Sequence, residues 1–166
     1  QRQMCIRDRG GYVSNAIYKN RDNRFYASIA QDSSNYFKNT ITMRKKGNLN
    51  WASKAAEIWG TPISGYVYRK GVYEAVRLLN SEPTSYHYVL LRLGRSYLNY
   101  AEALNESGAS KTDVLTWVDL IRERAGLEGV EESWDTYTNN KKYETVDGRR
   151  EIIQQERGIE LAFEAQ

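Results

Sequence analysis

Two amphipathic helical patterns stand almost end to end in this chain, and that arrangement restricts the fold more than any other feature. In "YHYVLLRLGRSYLNYAEALNESG" (Tyr86 to Gly108), Leu90, Leu93, Gly94, Tyr97, Ala101 and Leu104 recur at spacings of three and four. That spacing predicts one apolar helical face, with Gly108 as terminator. "SKTDVLTWVDLIRERAG" (Ser110 to Gly126) restarts at once, with Ser110 and Asp113 as a capping-box-like pair, a stripe of Val114, Val118, Ile121 and Ala125, and Gly126 as the stop. Two helices joined by so short a turn must pack antiparallel, as a helical hairpin. Gly94 and Ala101 are expected to let the second helix come close.

A third helix is expected from Asp147 or Arg149 onward, with Ile152, Ile153, Ile159, Ala162 and Phe163 as its apolar positions and no stop signal up to Gln166. Gly158 interrupts it, a weakness that points to a tight helix crossing. Glu156, Glu160 and Glu164 fall at i, i+4 and i+8 of one face. A glycosidase needs two acids facing each other across a substrate-sized gap, whereas successive acids on one helix point the same way. They read as a solvated or salt-bridged face, with Arg157 pairing to Glu160 at i, i+3, and second as structural partners of buried arginines. Between Leu127 and Asp147 the chain is polar and aperiodic, so a connecting loop is expected, with at most one turn at "EESWDTY".

The first half is loop-rich. "RFYASIA" (Arg24 to Ala30) and "NTITMRKKG" (Asn39 to Gly47) are β-prone and read as short strands. "NWASKAAEIWG" (Asn50 to Gly60) reads as a short helix carrying Trp51 and Trp59, and "GYVYRKGVYEAV" (Gly65 to Val76) begins with strand-like alternation. The longest aliphatic run, Val89 to Leu91, is far too short for a bilayer-spanning helix. The formal charge of +3 is weak support for nucleic-acid binding: residues 1–9 contribute +2, and the remainder holds 21 basic against 20 acidic residues. Those nine residues, "QRQMCIRDR", are aperiodic and are read as a tail, either non-native (they resemble a translated sequencing adapter) or naturally disordered. Cys5, the single cysteine, has no partner for a disulfide or a metal site.

"LRLGRSYLNYAEALNESG", "VDLIRERAGL" and "EIIQQERGIELAFEAQ", in this order, resemble the C-terminal portion of the SusD/RagB family, outer-membrane nutrient-binding lipoproteins of Bacteroidetes. "NRDNRFYASIA" and "GYVYRKGVYE" are similar to the family's "RDPRFYATI" and "GYYLRKY" segments. The resemblance covers residues 20–30 and 65–166. It departs from the family at "RSYLNYAEA", where an acid more often precedes the Tyr, and at "RDN", where Pro is usual. It implies a mainly α, SusD-like fold with a tetratricopeptide-like helical hairpin plus a loop-rich segment with short β-strands. Residues 10–166 would be part of one such domain, truncated at both ends. The implied role is non-catalytic capture of oligosaccharide or another nutrient at the outer-membrane surface, with no cofactor and no metal, and delivery to a SusC-like TonB-dependent transporter. The membrane would be met only through an N-terminal lipid anchor absent from this chain. Two rival readings are a helical-repeat adaptor for other proteins and a fragment of a glycoside hydrolase.

Sugar rings stack on aromatic faces, and their hydroxyls need amides and charges nearby. Tyr36, Trp51, Trp59 and Tyr66, with Asn35, Asn39, Asn48 and Asn50 beside them, are therefore the candidate ligand-binding residues, although Trp51 and Trp59 also fit the apolar face of a short helix. No catalytic residue is expected. His87, the sole histidine, has neither a second ligand nor a triad partner in a motif context, and no phosphate-binding loop is present. Arg122 and Arg124 are expected to complement the dipole at a helix C-terminus. Arg92 and Arg95 are expected to pair with Glu102 or across the hairpin.

Overall fold

The computed structural model describes residues 18–36, 39–43, 47, 62, 64–71 and 89–164. Its elements run α1 (Asn23–Ser28), β1 (Ile29–Ala30), β2 (Asn35–Tyr36), β3 (Asn39–Thr40), β4 (Val67–Tyr68), α2 (Leu93–Glu106), α3 (Lys111–Arg124), α4 (Val130–Tyr137), a 3-10 turn (Lys142–Glu144) and α5 (Val146–Glu160). The fold is mainly α, as the resemblance implies. It divides into two units, one of residues 1–24 and 89–166 and the other of residues 25–88.

In the helical unit the hairpin forms as its signals require. Ser110 Oγ accepts the Asp113 amide at 3.2 Å and donates to Asp113 Oδ2 at 2.6 Å, capping α3. Both helices of the hairpin end on a left-handed glycine, Gly108 at φ +78 and Gly126 at φ +74. The amide after each glycine reaches back five residues, Ala109 to the Leu104 carbonyl at 3.0 Å and Leu127 to that of Arg122 at 2.9 Å. Val114, Val118, Ile121 and Ala125 are all buried.

The first helix keeps the expected Tyr97, Ala101 and Leu104 in or against the core but departs from expectation at its start. α2 starts only at Leu93, so Leu90 and Leu93 lie outside the core and are 74% and 62% exposed. Its buried positions are Leu98, Ala101 and Asn105. Gly94 opens toward Arg92 and Glu160, not toward α3.

Residues 127–147 are not a loop. α4 runs for two turns and buries Val130 and Trp134 in the same core as Leu98, Val118 and Ile153. Its cap comes from another helix: the residue before it is Gly129, and Asp119 on α3 accepts the Val130 amide at 2.7 Å. Burial pushes the Asp119 carboxyl up, against the opposing effects of that hydrogen bond and of Arg122.

α5 begins behind Thr145, whose hydroxyl accepts the Gly148 amide at 3.0 Å. It ends at Glu160, before Ala162 and Phe163, and Phe163 takes φ +66. The close approach lies at its start rather than at Gly158. A Cβ on Gly148 would overlap the Lys142 carbonyl, whereas one on Gly158 would meet nothing. Gly158→Ala is therefore expected to stabilise the chain by about 0.5–1 kcal/mol, read as a higher urea midpoint at unchanged m.

The smaller unit pairs β1 with β4, setting Ile29 opposite Tyr68, and β2 with β3, setting Asn35 opposite Thr40. "RFYASIA" is mostly helical instead of extended. Asp22 accepts the Arg24 amide at 2.8 Å and starts α1, so a local cap overrides the β-prone composition. The expected helix at Asn50 to Gly60, with Trp51 and Trp59, lies outside the described residues, as do Cys5, His87, Asn48 and Asn50.

Candidate functional site

Two constellations concentrate polar chemistry, one in each unit. In the helical unit the stripe of α5 that faces the core begins with Arg149, Ile152 and Ile153 and continues as Glu156 and Glu160. Those two glutamates are 3% exposed and not on a solvated face. Buried carboxylates need cations, and arginines from three separate segments supply them. Arg24 Nη2 stands 2.6 Å from Asp22 and 2.7 Å from Glu156, with Nη1 3.3 Å from Glu160. Arg122 reaches Glu156 at 3.1 Å. Arg92 holds Glu160 Oε1 at 2.5 Å and Glu164 at 2.7 Å, and Arg124 also meets Glu160 Oε1.

Four guanidiniums thus face four carboxylates, and their charges cancel. Arg122 and Arg124 do more than complement the end of α3. Arg92 pairs with the last helix and the residues after it, not with Glu102. Glu102 instead takes Arg157 at 2.5 Å, which removes the expected Arg157–Glu160 pair.

Burial alone would raise the Glu160 carboxyl. The hydrogen bond and charge of Arg92, the charge of Arg124 and the hydrogen bond from Arg24 together hold it below the ordinary value of 4.5. A group with a depressed folded value stabilises the fold above its unfolded value and ceases to do so as pH falls through the folded one. Stability is therefore expected to decline once pH drops below about 4.5. Urea midpoints measured from pH 7 to pH 3 should show this acid limb, and Glu160→Gln should flatten it. A carboxylate held ionised and occupied by guanidiniums is unsuited to donate a proton as a glycosidase acid must.

A cleft of about 450 Å³ adjoins this lattice, with Arg24, Arg122, Glu128, Trp134, Tyr137 and Gln155 among its lining residues. Its cations are already engaged: Arg122 also donates to the Glu128 carbonyl at 2.9 Å. Among the described residues no group of three or more His, Cys, Asp or Glu is placed to hold a metal ion.

The second constellation lies in the unit of residues 25–88. Along 66–68 exposure alternates, so Tyr66, just before β4, and Tyr68, on it, lie to one side and are 40% and 44% exposed. Tyr36, half-buried on β2, donates from its hydroxyl to the Tyr68 carbonyl at 3.3 Å and so stands beside that strand. The amides of Arg69 and Lys70 both reach the Ser28 carbonyl, at 2.9 and 3.2 Å. Two successive amides on one carbonyl mark a bulge, which kinks the strand as it leaves the sheet. Burial pushes the Tyr36 phenol up, and the positive charge of Arg69 pulls it part of the way back.

Of the four residues singled out by sequence, Tyr36 and Tyr66 fall on this unit's paired strands or beside them, while Trp51 and Trp59 are outside the described residues. Asn35 is exposed on β2, where its side chain accepts the Thr40 hydroxyl at 3.1 Å. Tyr68 and Arg69 were not singled out. The signal for Tyr68 was present, since the alternation of "GYVY" places Tyr66 and Tyr68 on one face.

The whole chain can be set beside known proteins. The sequence model of the SusD family (SusD/RagB) matches residues 7–166. The "SusD-like protein P2" of Formosa agariphila is 37% identical over 86 residues, which is 51% of this chain and 16% of that protein. The crystal structure of a SusD-like protein from Bacteroides fragilis superposes with a TM-score of 0.66 at 30% identity, over 89% of this chain and 27% of the other. The chain thus spans well under half the length of either relative. With the family's sequence model matching residues 7–166, the chain belongs to the SusD family.

Proposed function

We propose that this chain is part of a non-catalytic nutrient-binding protein of the outer-membrane surface. It captures oligosaccharide, or another nutrient, and passes it to a SusC-like TonB-dependent transporter. Family membership supports the class of role. The observation that carries the ligand side is the pair of exposed rings, Tyr66 just before β4 and Tyr68 on it, with the Tyr36 hydroxyl on the Tyr68 carbonyl. Flat rings beside amides and cations suit a ligand with C–H faces and hydroxyls. Tyr36, Trp51, Trp59 and Tyr66 remain the proposed ligand-binding residues, and Tyr68 joins them. The protein itself breaks no bond and uses no cofactor. The intact protein is anchored by an N-terminal lipid.

Affinity electrophoresis through polysaccharide gels tests this reading. Retardation by at least one polysaccharide is expected, and single alanine variants of Tyr36, Trp51, Trp59 and Tyr66 should each weaken it, by about three- to tenfold per lost stacking ring. Unchanged mobility in all four variants would remove this face from the account. Affinity purification of the full-length protein should retain a SusC-like transporter.

The adaptor reading draws on a different surface. Tyr100 stacks edge-on to Trp117 at 5.0 Å, Tyr97 lies 5.3 Å from the same ring, and Tyr100 is 50% exposed. Such a patch on the hairpin suits a protein contact. Tyr100→Ala should then lower transporter retention without changing mobility in the gels.

A further inference from the structure

We infer that the ligand of the Tyr36–Tyr66–Tyr68 face is an anionic saccharide, its rings stacked on the tyrosines and its carboxylate or sulfate groups met by Arg69 and Lys70. This rests on the saccharide reading above and narrows it.

Two independent observations lead there. The first is the distribution of charge along the chain. Residues 25–88 hold eight Lys and Arg against four Asp and Glu, while the rest of the chain holds sixteen against seventeen. Residues 25–88 thus carry a net positive charge of four, while the rest of the chain, its basic first nine residues included, carries a net negative charge of one. Such asymmetry draws anions toward one part of a surface.

The second observation is local geometry. The bulge at Ser28 places Arg69 and Lys70 immediately after the exposed tyrosines, and Arg69 lies close enough for its charge to act on the Tyr36 phenol. The acid that the same unit places near the β2–β3 hairpin, Asp32, accepts the Met43 amide at 2.8 Å and the Ser33 hydroxyl at 3.3 Å. Rings followed directly in the chain by an arginine and a lysine can recognise a saccharide bearing acid groups by stacking and by charge-assisted hydrogen bonds together. A neutral saccharide would use only the first.

Isothermal titration of the full 166-residue chain with oligogalacturonate, a sulfated galacto-oligosaccharide and a malto-oligosaccharide tests the inference. One or both anionic ligands should bind more tightly than the neutral one, and which of them does so separates carboxylate from sulfate recognition. Raising the salt should weaken that binding. Arg69→Gln should reduce affinity for the anionic ligand by about fivefold or more and leave the neutral one unchanged. Lys141→Gln, an equal loss of charge in the helical unit, should change neither. Equal losses in Arg69→Gln and Lys141→Gln would reduce the effect to general charge attraction and overturn the inference. Tighter binding of the neutral saccharide, insensitive to Arg69→Gln but lost on Tyr68→Ala, would overturn it while leaving the tyrosine face standing. Binding of all three unaffected by Tyr66→Ala and Tyr68→Ala, or no binding at all, would defeat the saccharide reading itself.

Discussion

Replacing Glu160 by alanine is expected to destabilise the helical unit by about 3 kcal/mol, the low end for breaking a buried ion pair. The carboxylate is 3% exposed and is shared by Arg24, Arg92 and Arg124. Removing it leaves their charges beside a void. Arg124, however, keeps 61% of its side chain in water and can be rehydrated, which limits the loss. For a chain of this length the melting temperature should fall by roughly 6–12 °C, at about 2–4 °C per kcal/mol. Glu160→Gln keeps shape and one acceptor, so it should lose less, and the gap between the two variants measures the charge. An unchanged melting temperature in Glu160→Ala would show that the lattice contributes nothing to the fold.

The second large effect is expected at Gly148. Alanine normally improves a helix over glycine by about 1 kcal/mol. Here a methyl would overlap the backbone carbonyl of Lys142, in the 3-10 turn that packs on the start of α5. A carbonyl is fixed by its own chain, so the turn must shift. That turn also carries the Tyr143 and Glu144 carbonyls that accept the buried Arg149 guanidinium, each at 3.1 Å. Overpacking of this kind costs about 1–3 kcal/mol and outweighs the gain in propensity. Gly148→Ala should therefore destabilise the chain by about 1–2 kcal/mol net on the same unfolding curves that show Gly158→Ala to be stabilising. Two glycines in one helix, substituted identically, are expected to move stability in opposite directions.

What was legible in the sequence was what local signals decide. Ser110, Gly108 and Gly126 set the ends of the hairpin helices through contacts within five residues. The α3 stripe was legible because its apolar residues keep one period throughout. α4 escaped because its first residues lack a side-chain cap of their own. Asp119 supplies it from another helix, and no local pattern can report that. The burial of Glu156 and Glu160 escaped for a related reason: a polar residue on a core stripe reads as a surface residue until its partner is known. The partners lie 34 to 136 positions away in sequence. Similarly, Gly148 and Gly158 look alike in sequence, and only the placement of Lys142 tells them apart.

The aromatic face was half legible. Alternation in "GYVYRK" gave the strand, and aromatic content made Tyr66 a candidate. Tyr68 joins the face because β4 pairs with β1 and Tyr36 folds against it, a consequence of tertiary contact. The charge of Arg69 acquires meaning only through that placement.

The most direct test of the functional account is an amide chemical-shift titration of the isotope-labelled chain with a saccharide that retards it in the gels. Shifts are expected to centre on Tyr36, Tyr66, Tyr68 and Arg69, with the amides of α2, α3 and α5 little changed. Shifts confined to the helical unit, or lining the cleft beside Arg122 and Trp134, would contradict the account and place the ligand elsewhere.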